Sequence, residues 1–219
     1  TYRKKRPTLA FVFNNLPSVD YTRIESSFRR LKMDRFFRDL EIHSLDLKGE
    51  ADAYHRSYDK PSGKQGYKAG PNNQFFETMR IAAKYGRYCF LMETDVVPIR
   101  ADWLEKLCSL VDGSEPFYLM GSAYRGVNSI SPSFSRHING NAVYAAGDPS
   151  FVSFMENFWQ PELQKAILQS DRRLAYDCLP EYIFSRLRSD VSDDRIWKIW
   201  QSNAHLFRYT SYIQNLSGD

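Results

Sequence analysis

The chain has 219 residues, 42% hydrophobic and 15% aromatic, which suits one globular α/β domain of ordinary size and excludes two full domains. No run of about 18 apolar residues offers a membrane span, and cysteines at 89, 108 and 178 cannot all pair and lack metal-ligand spacing. The net charge of +4 is modest and both signs mix beyond one short basic run, Arg3-Lys4-Lys5-Arg6, which counts against a nucleic-acid partner.

Residues 1–7 read as a basic tail, either solvated or the stub beside a removed anchor. With Thr1 first, no initiator Met and no signal peptide, the expectation is an excised piece of a longer, multidomain protein. Thr8 to Phe13 predicts a first strand, and Asn14-Asn15-Leu16-Pro17 is turn chemistry after it. Ser18 or Asp20 can cap a helix carrying Ile24, Phe28 and Leu31, and Leu40 to Leu47 returns to a strand pattern. Residues 49–73 hold four glycines and two prolines with little periodicity and predict a long loop, in which Lys60, Lys64 and Lys68 could meet phosphate or simply be solvated.

Asn73 to Gly86 predicts an amphipathic helix with Phe75, Phe76, Met79, Ala82 and Ala83 on one face and Gly86 as its C-terminal cap. The apolar run Tyr88 to Met92 predicts a buried strand that ends in Glu93-Thr94-Asp95 and is stopped by Pro98. Asp102 can cap the next helix, whose apolar face is Trp103, Leu104, Leu107, Leu110 and Val111. Phe117 to Gly121 is a further strand, followed by a Ser-, Pro- and Arg-rich loop that we expect to be mobile. Asn139-Gly140-Asn141 is a turn entering another strand through Ala145, and from Pro149 onward the pattern is helical. Strands alternate with helices in the first half, so the economical architecture is a mostly parallel central sheet flanked by helices, with a helical C-terminal part.

Glu93 and Asp95 carry the most chemical information. On a strand, residues two apart point to the same side, so both carboxylates could face one cation and its polyphosphate. The competing reading is a pair of capping or solvated acids, and the flanking elements must decide between them.

The stretch Met79 to Pro98, a helix, a Gly86-Arg87-Tyr88 turn and a hydrophobic strand ending in an acid-x-acid triplet, resembles the Asp-x-Asp segment of GT-A fold, metal-dependent nucleotide-sugar glycosyltransferases. The resemblance extends loosely over residues 8–190, with further support at 139–145 and 176–187. It departs at Glu93, which replaces the first Asp and is one methylene longer.

What the resemblance implies is a single Rossmann-like domain, with residues 8–98 as the nucleotide-binding half and 99–219 as the acceptor-side half. It implies transfer of a hexosyl or deoxyhexosyl group from a UDP-, GDP- or dTDP-sugar to a hydroxyl of a glycan or glycoconjugate. Mn²⁺ or Mg²⁺ would be held by Asp95, with Glu93 and a C-terminal histidine, His205, completing the site. Phe13, Asn14, Asn15 and Asp46 match the nucleotide-binding strand ends, and Lys68, Arg80 and Thr94 the donor side. Asn14-Asn15 equally reads as a plain turn, and Arg80 as a solvated helix residue. Asn141 lies in the segment matching the floor of the donor-sugar pocket, with His137 beside it. Asp177, ahead of Pro180, matches the general base of inverting members and equally suits an ordinary helix N-cap.

The alternatives are a retaining enzyme of the same fold, a nucleotidyltransferase, or a non-catalytic module binding glycan or polyanion through Arg3 to Arg6. A nucleotidyltransferase fits poorly, because Asn14 to Pro17 stands where its Gly-rich basic segment belongs. The expected compartment is the cytoplasm, or a lumen if the chain is the catalytic domain of a membrane-anchored protein.

Overall fold

The computed structural model describes residues 6–55, 59, 61–94, 96–123, 125, 136–189 and 194–214. It is an α/β structure. Strand β1 (Leu9–Asn14) leads through helix α1 (Ser18–Arg30) to β2 (Leu40–Leu45), which lies parallel to β1 from Leu9↔Leu40 to Asn14↔Leu45. Parallel neighbours need a crossover connection, and α1 supplies it.

After a 3₁₀ turn at Gly49–Asp52 come α2 (Ala69–Ala82), β3 (Cys89–Phe90), α3 (Trp103–Asp112), β4 (Leu119–Gly121) and β5 (Val143–Tyr144). Then follow α4 (Pro149–Phe154), a π-helical turn (Met155–Trp159), α5 (Gln160–Gln169) and a 3₁₀ turn (Tyr176–Cys178). Helices α6 (Leu179–Ser189) and α7 (Asp194–Asn203), a last 3₁₀ turn (Ala204–Leu206) and β6 (Phe207–Tyr209) close the order. No described helix is long and apolar enough to cross a membrane.

The expectation of one mostly parallel sheet is met only in part. The described strands form two sheets, β1-β2 and β3-β5-β4-β6, and in the second β5 runs antiparallel to both neighbours while β4 and β6 are parallel. The cause lies between β4 and β5: no helical pattern separates them, and consecutive strands without a crossover helix pair antiparallel.

Helices cover both faces of this second sheet, as the pleat requires. Leu119 and Tyr144 point to a core built with Phe75, Phe76 and Met79 of α2 and with Phe151, Met155, Trp159 and Leu163, whereas Met120 and Val143 point to Leu107 of α3, Phe117 and Ile213. The predicted apolar faces of α2 and α3 are therefore the buried ones.

Three local expectations shift. Helix α2 begins at Ala69, four residues before the predicted start, because Pro71 sits in the first turn, where a missing N–H costs nothing. Residues 69–73 accordingly belong to a helix and not to the long loop. Gly86 is not the helix cap: α2 closes at Ala83, and the Gly86 carbonyl instead packs where a Cβ on Gly147 would lie. Asp102 does precede α3, but its side chain makes no capping hydrogen bond. The loop expected after Gly121 falls mostly outside the described residues, and so does the tail through residue 5.

Candidate functional site

The site is built where three chain segments meet at the ends of β3 and β5. The first is the acidic segment. Leu91 extends the β3 pairing by one bond, its N–H donating to Ala142 O at 2.9 Å, and the chain then turns, Val96 N–H donating to Glu93 O at 3.1 Å. Strand β3 thus ends before Glu93, and strand alternation does not orient its side chain. Glu93 and Thr94 are exposed, and Asp95 lies outside the described residues.

The second segment is Asn139-Gly140-Asn141, which enters β5. Asn141, 9% exposed, accepts the Glu93 N–H at 2.7 Å through Oδ1 and donates Nδ2–H to Glu93 Oε2 at 3.2 Å. Asn139 Oδ1 braces this amide, accepting from Asn141 N at 2.9 Å and from Asn141 Nδ2 at 2.9 Å. Asn139 N–H in turn donates to Ser122 O, which secures the loop to the residue after β4.

The third is the 3₁₀ turn Tyr176–Cys178. Asp177 Oδ2 accepts the Gly140 N–H at 3.2 Å and faces His137 Nε2 at 3.6 Å. Glu93 and Asp177 are therefore attached to adjacent residues of one loop.

Two buried tyrosines fill the floor beneath. Tyr144 donates to Gly140 O at 2.9 Å, and Tyr176 stacks on Phe75 with ring centroids 3.8 Å apart and planes 8° from parallel. Burial pushes both phenols well up, and the charges of Asp177 and Glu93 push the same way on each, so both hydroxyls stay protonated. The small residue at 140 has a second reason in this floor: a Cβ there would overlap the Tyr176 hydroxyl.

The turn is held from behind. Asn72, 5% exposed on α2, donates Nδ2–H to Leu174 O at 3.1 Å and accepts Tyr176 N–H at 2.8 Å, while Trp159 Nε1–H donates to Tyr176 O at 3.0 Å. Trp159 ends the π-helical turn, where Met155, Phe158 and Trp159 are all buried. Periodicity gave no sign of Asn72, Trp159 or Tyr144 in these roles, because their bonds run to partners remote in sequence. The one available signal was the repeated asparagine at 139 and 141.

The other predicted residues lie as follows. Asn14 binds the Leu47 backbone in both directions, accepting N–H at 2.9 Å and donating to O at 3.2 Å, and Asn15 adopts φ 53° while donating to the same Leu47 O at 3.0 Å. Both amides serve as turn chemistry at the end of β1. Phe13 stacks on Phe11, and Asp46 is exposed and paired with Lys48 at 2.9 Å. Arg80 pairs with Glu77 at 2.7 Å and Glu156 at 3.4 Å and donates to Gln160 at 2.7 Å, tying α2 to the π-helical turn and α5. Lys68 stands at the head of α2, where its charge opposes the burial that raises the Cys178 thiol and adds to the Arg173 contacts that lower Asp171. His205 is exposed in the turn Ala204–Leu206.

As a metal ligand, Glu93 offers the hard carboxylate oxygen that Mg²⁺ and Mn²⁺ favour, at the exposed edge of the site. Among the described residues, the group of three whose His, Cys or acid ligand atoms lie within 4.8 Å of one another is His137, Asp177 and Cys178. His205 and Glu93 are not in it. Comparison with family models, curated proteins and solved structures finds no match to this chain.

Proposed function

We propose that this protein is a divalent-metal-dependent glycosyltransferase of the GT-A type, moving a sugar from a nucleotide-diphosphate donor to a hydroxyl of a glycan or glycoconjugate acceptor. The observation that supports this reading is the double attachment of the loop at 139–141, which ties Glu93 through Asn141 and Asp177 through Gly140. Acids that merely cap helices or face solvent have no need of a shared, buried anchor.

In this reading Asp177 is the base of an inverting reaction. It takes the acceptor hydroxyl proton as that oxygen bonds to the anomeric carbon, while the bond from this carbon to the diphosphate breaks with its electron pair. Glu93 and Asp95 would hold the cation, and Lys68, near the same turn, would supply a further positive charge for the diphosphate. Mn²⁺ or Mg²⁺, when bound, supplies charge neutralisation on the leaving group. Asn141 keeps the Glu93 carboxylate from swinging, and the Tyr144–Tyr176 floor keeps water from entering beneath the loop.

The test is thermal unfolding with nucleoside diphosphates and nucleotide sugars, with and without Mn²⁺, on the natural chain and on Asp95→Ala. One nucleotide should stabilise the chain only with metal, by about 2.7 kcal/mol at a hundred times its Kd, and Asp95→Ala should lose that response. Silence toward every nucleotide, or unchanged donor turnover by Asp95→Ala, sinks the reading.

A further inference from the structure

Asp177 is surrounded by hydrogen-bond donors and has little contact with solvent. Its Oδ2 accepts from Gly140 N–H and faces His137 Nε2, and the Cys178 thiol hydrogen-bonds the same carboxyl. The His137 and Asp177 side chains are only 10% and 14% exposed, so a charge here depends on these contacts in place of water. Nε2 is the ring nitrogen that faces the carboxyl, at 3.6 Å, and a carboxylate can only accept, so a bond between them requires the hydrogen on Nε2. His137 is itself held in place, because the next residue, Ile138, is buried and bridges to Ala123.

Resting on the reading of Asp177 as the base, we propose that His137 is a positioning residue for it. The Nε2–H anchors Oδ2 and presents the other carboxyl oxygen to the acceptor. The acceptor proton passes to that second oxygen, the new bond forms at the anomeric carbon, and the bond to the diphosphate breaks with its electron pair. His137 keeps its Nε2 hydrogen throughout. A neutral imidazole serves this role, whereas an imidazolium would make Asp177 a weaker base.

Cys178 and Tyr176 of the same turn, Tyr144 of β5 and Glu93 beyond β3 also act on this carboxyl or its neighbours, with Lys68 of α2 near Cys178. Burial pushes Tyr144, Tyr176 and Cys178 up, so these three stay protonated around neutrality. The ligand atoms of His137, Asp177 and Cys178 also lie within 4.8 Å of one another, and burial is the main cause that pushes the Cys178 thiol up.

Two measurements on the whole chain test this. In NMR of histidine-labelled protein, the His137 signal, identified among the four histidines by its loss in His137→Gln, should report an Nε2–H tautomer whose Nε2–H resonance moves in Asp177→Asn. An Nε2–H resonance unchanged between the two proteins overturns the pairing, whatever the activity. In donor turnover, His137→Leu should lose about 100-fold in kcat with donor KM unchanged. His137→Gln, which keeps an N–H donor, should recover part of that rate and still fall below the natural chain, and it decides alone if the Leu variant does not fold. A natural chain that turns over while His137→Gln keeps its full rate overturns the positioning role only. No turnover by the natural chain with any donor retires the proposed function and this role together.

Discussion

Asn141 holds Glu93 at two points, accepting its backbone N–H and donating to its carboxylate, and Asn139 braces the same amide from the other side. The amide oxygen accepts while the amide nitrogen donates, two roles on separate atoms that neither a carboxylate nor an aliphatic side chain can fill together.

Asn141→Ala should therefore leave the Glu93 N–H without its partner and Asn139 Oδ1 with only the backbone N–H of residue 141. We expect a loss of about 1–3 kcal/mol, seen as a Tm lower by roughly 3–8 °C in circular dichroism. Asn141→Asp keeps the acceptor but sets two carboxylates side by side, which raises their pKa values in the folded state. Its stability deficit should be largest at about pH 7 and shrink toward about pH 4, because a raised folded-state pKa loses stability as pH rises.

Gly140→Ala should destabilise by about 1–3 kcal/mol through overpacking, because the new methyl overlaps a hydroxyl whose ring is stacked against Phe75 and cannot move aside. In a Tyr176→Phe background the same change should cost less. Urea denaturation of the four proteins gives the coupling directly, and additive costs would show that Tyr176 is not what requires the glycine.

Asn72→Ala removes two anchors of the turn that carries Asp177, at Leu174 O and Tyr176 N–H, and leaves the one from Trp159 to Tyr176 O. A loss of about 2–4 kcal/mol is expected from two buried backbone groups left unpaired. Hydrogen exchange at the Tyr176 amide should accelerate more than exchange across α3, and equal acceleration at both would mean that Asn72 acts on global stability alone.

Asp148 governs an acid-sensitive contact behind β5. The Ser150 hydroxyl, the Ser150 N–H and Arg87 hold its carboxyl below the usual aspartate range, against the opposing effect of burial. A depressed folded-state pKa contributes stability above the unfolded value, lost as pH falls through the folded one. Ser150→Ala should flatten the fall in Tm from about pH 4 downward while changing little at high pH beyond one lost hydrogen bond.

Much of the scaffold was legible in the sequence because burial is a property of a single element's faces. The spacing of Phe75, Phe76 and Met79 marked the buried side of α2, Leu107 that of α3, and the run from Leu9 the first strand. The order of helix, short strand, acidic segment and helix around Glu93 could likewise be read along the chain. Helix α2 began earlier than its pattern suggested, since Gly70 and Pro71 look like loop residues until their place in a first turn is known.

What only the tertiary structure decided is who touches whom. Nothing local tells Asn14 to bind Leu47, Arg80 to bridge to Glu156 and Gln160, or Asp177 to take the Gly140 N–H. Nor does alternation of residue types set strand direction in the second sheet, where the connection between β4 and β5 makes the pair antiparallel. The sequence by itself determined which residues are apolar enough to be buried and which acids stand at strand and helix ends. The meeting of Glu93 and Asp177 on one three-residue loop came from the fold, because a hydrogen bond needs atoms within about 3 Å and only packing brings remote segments that close.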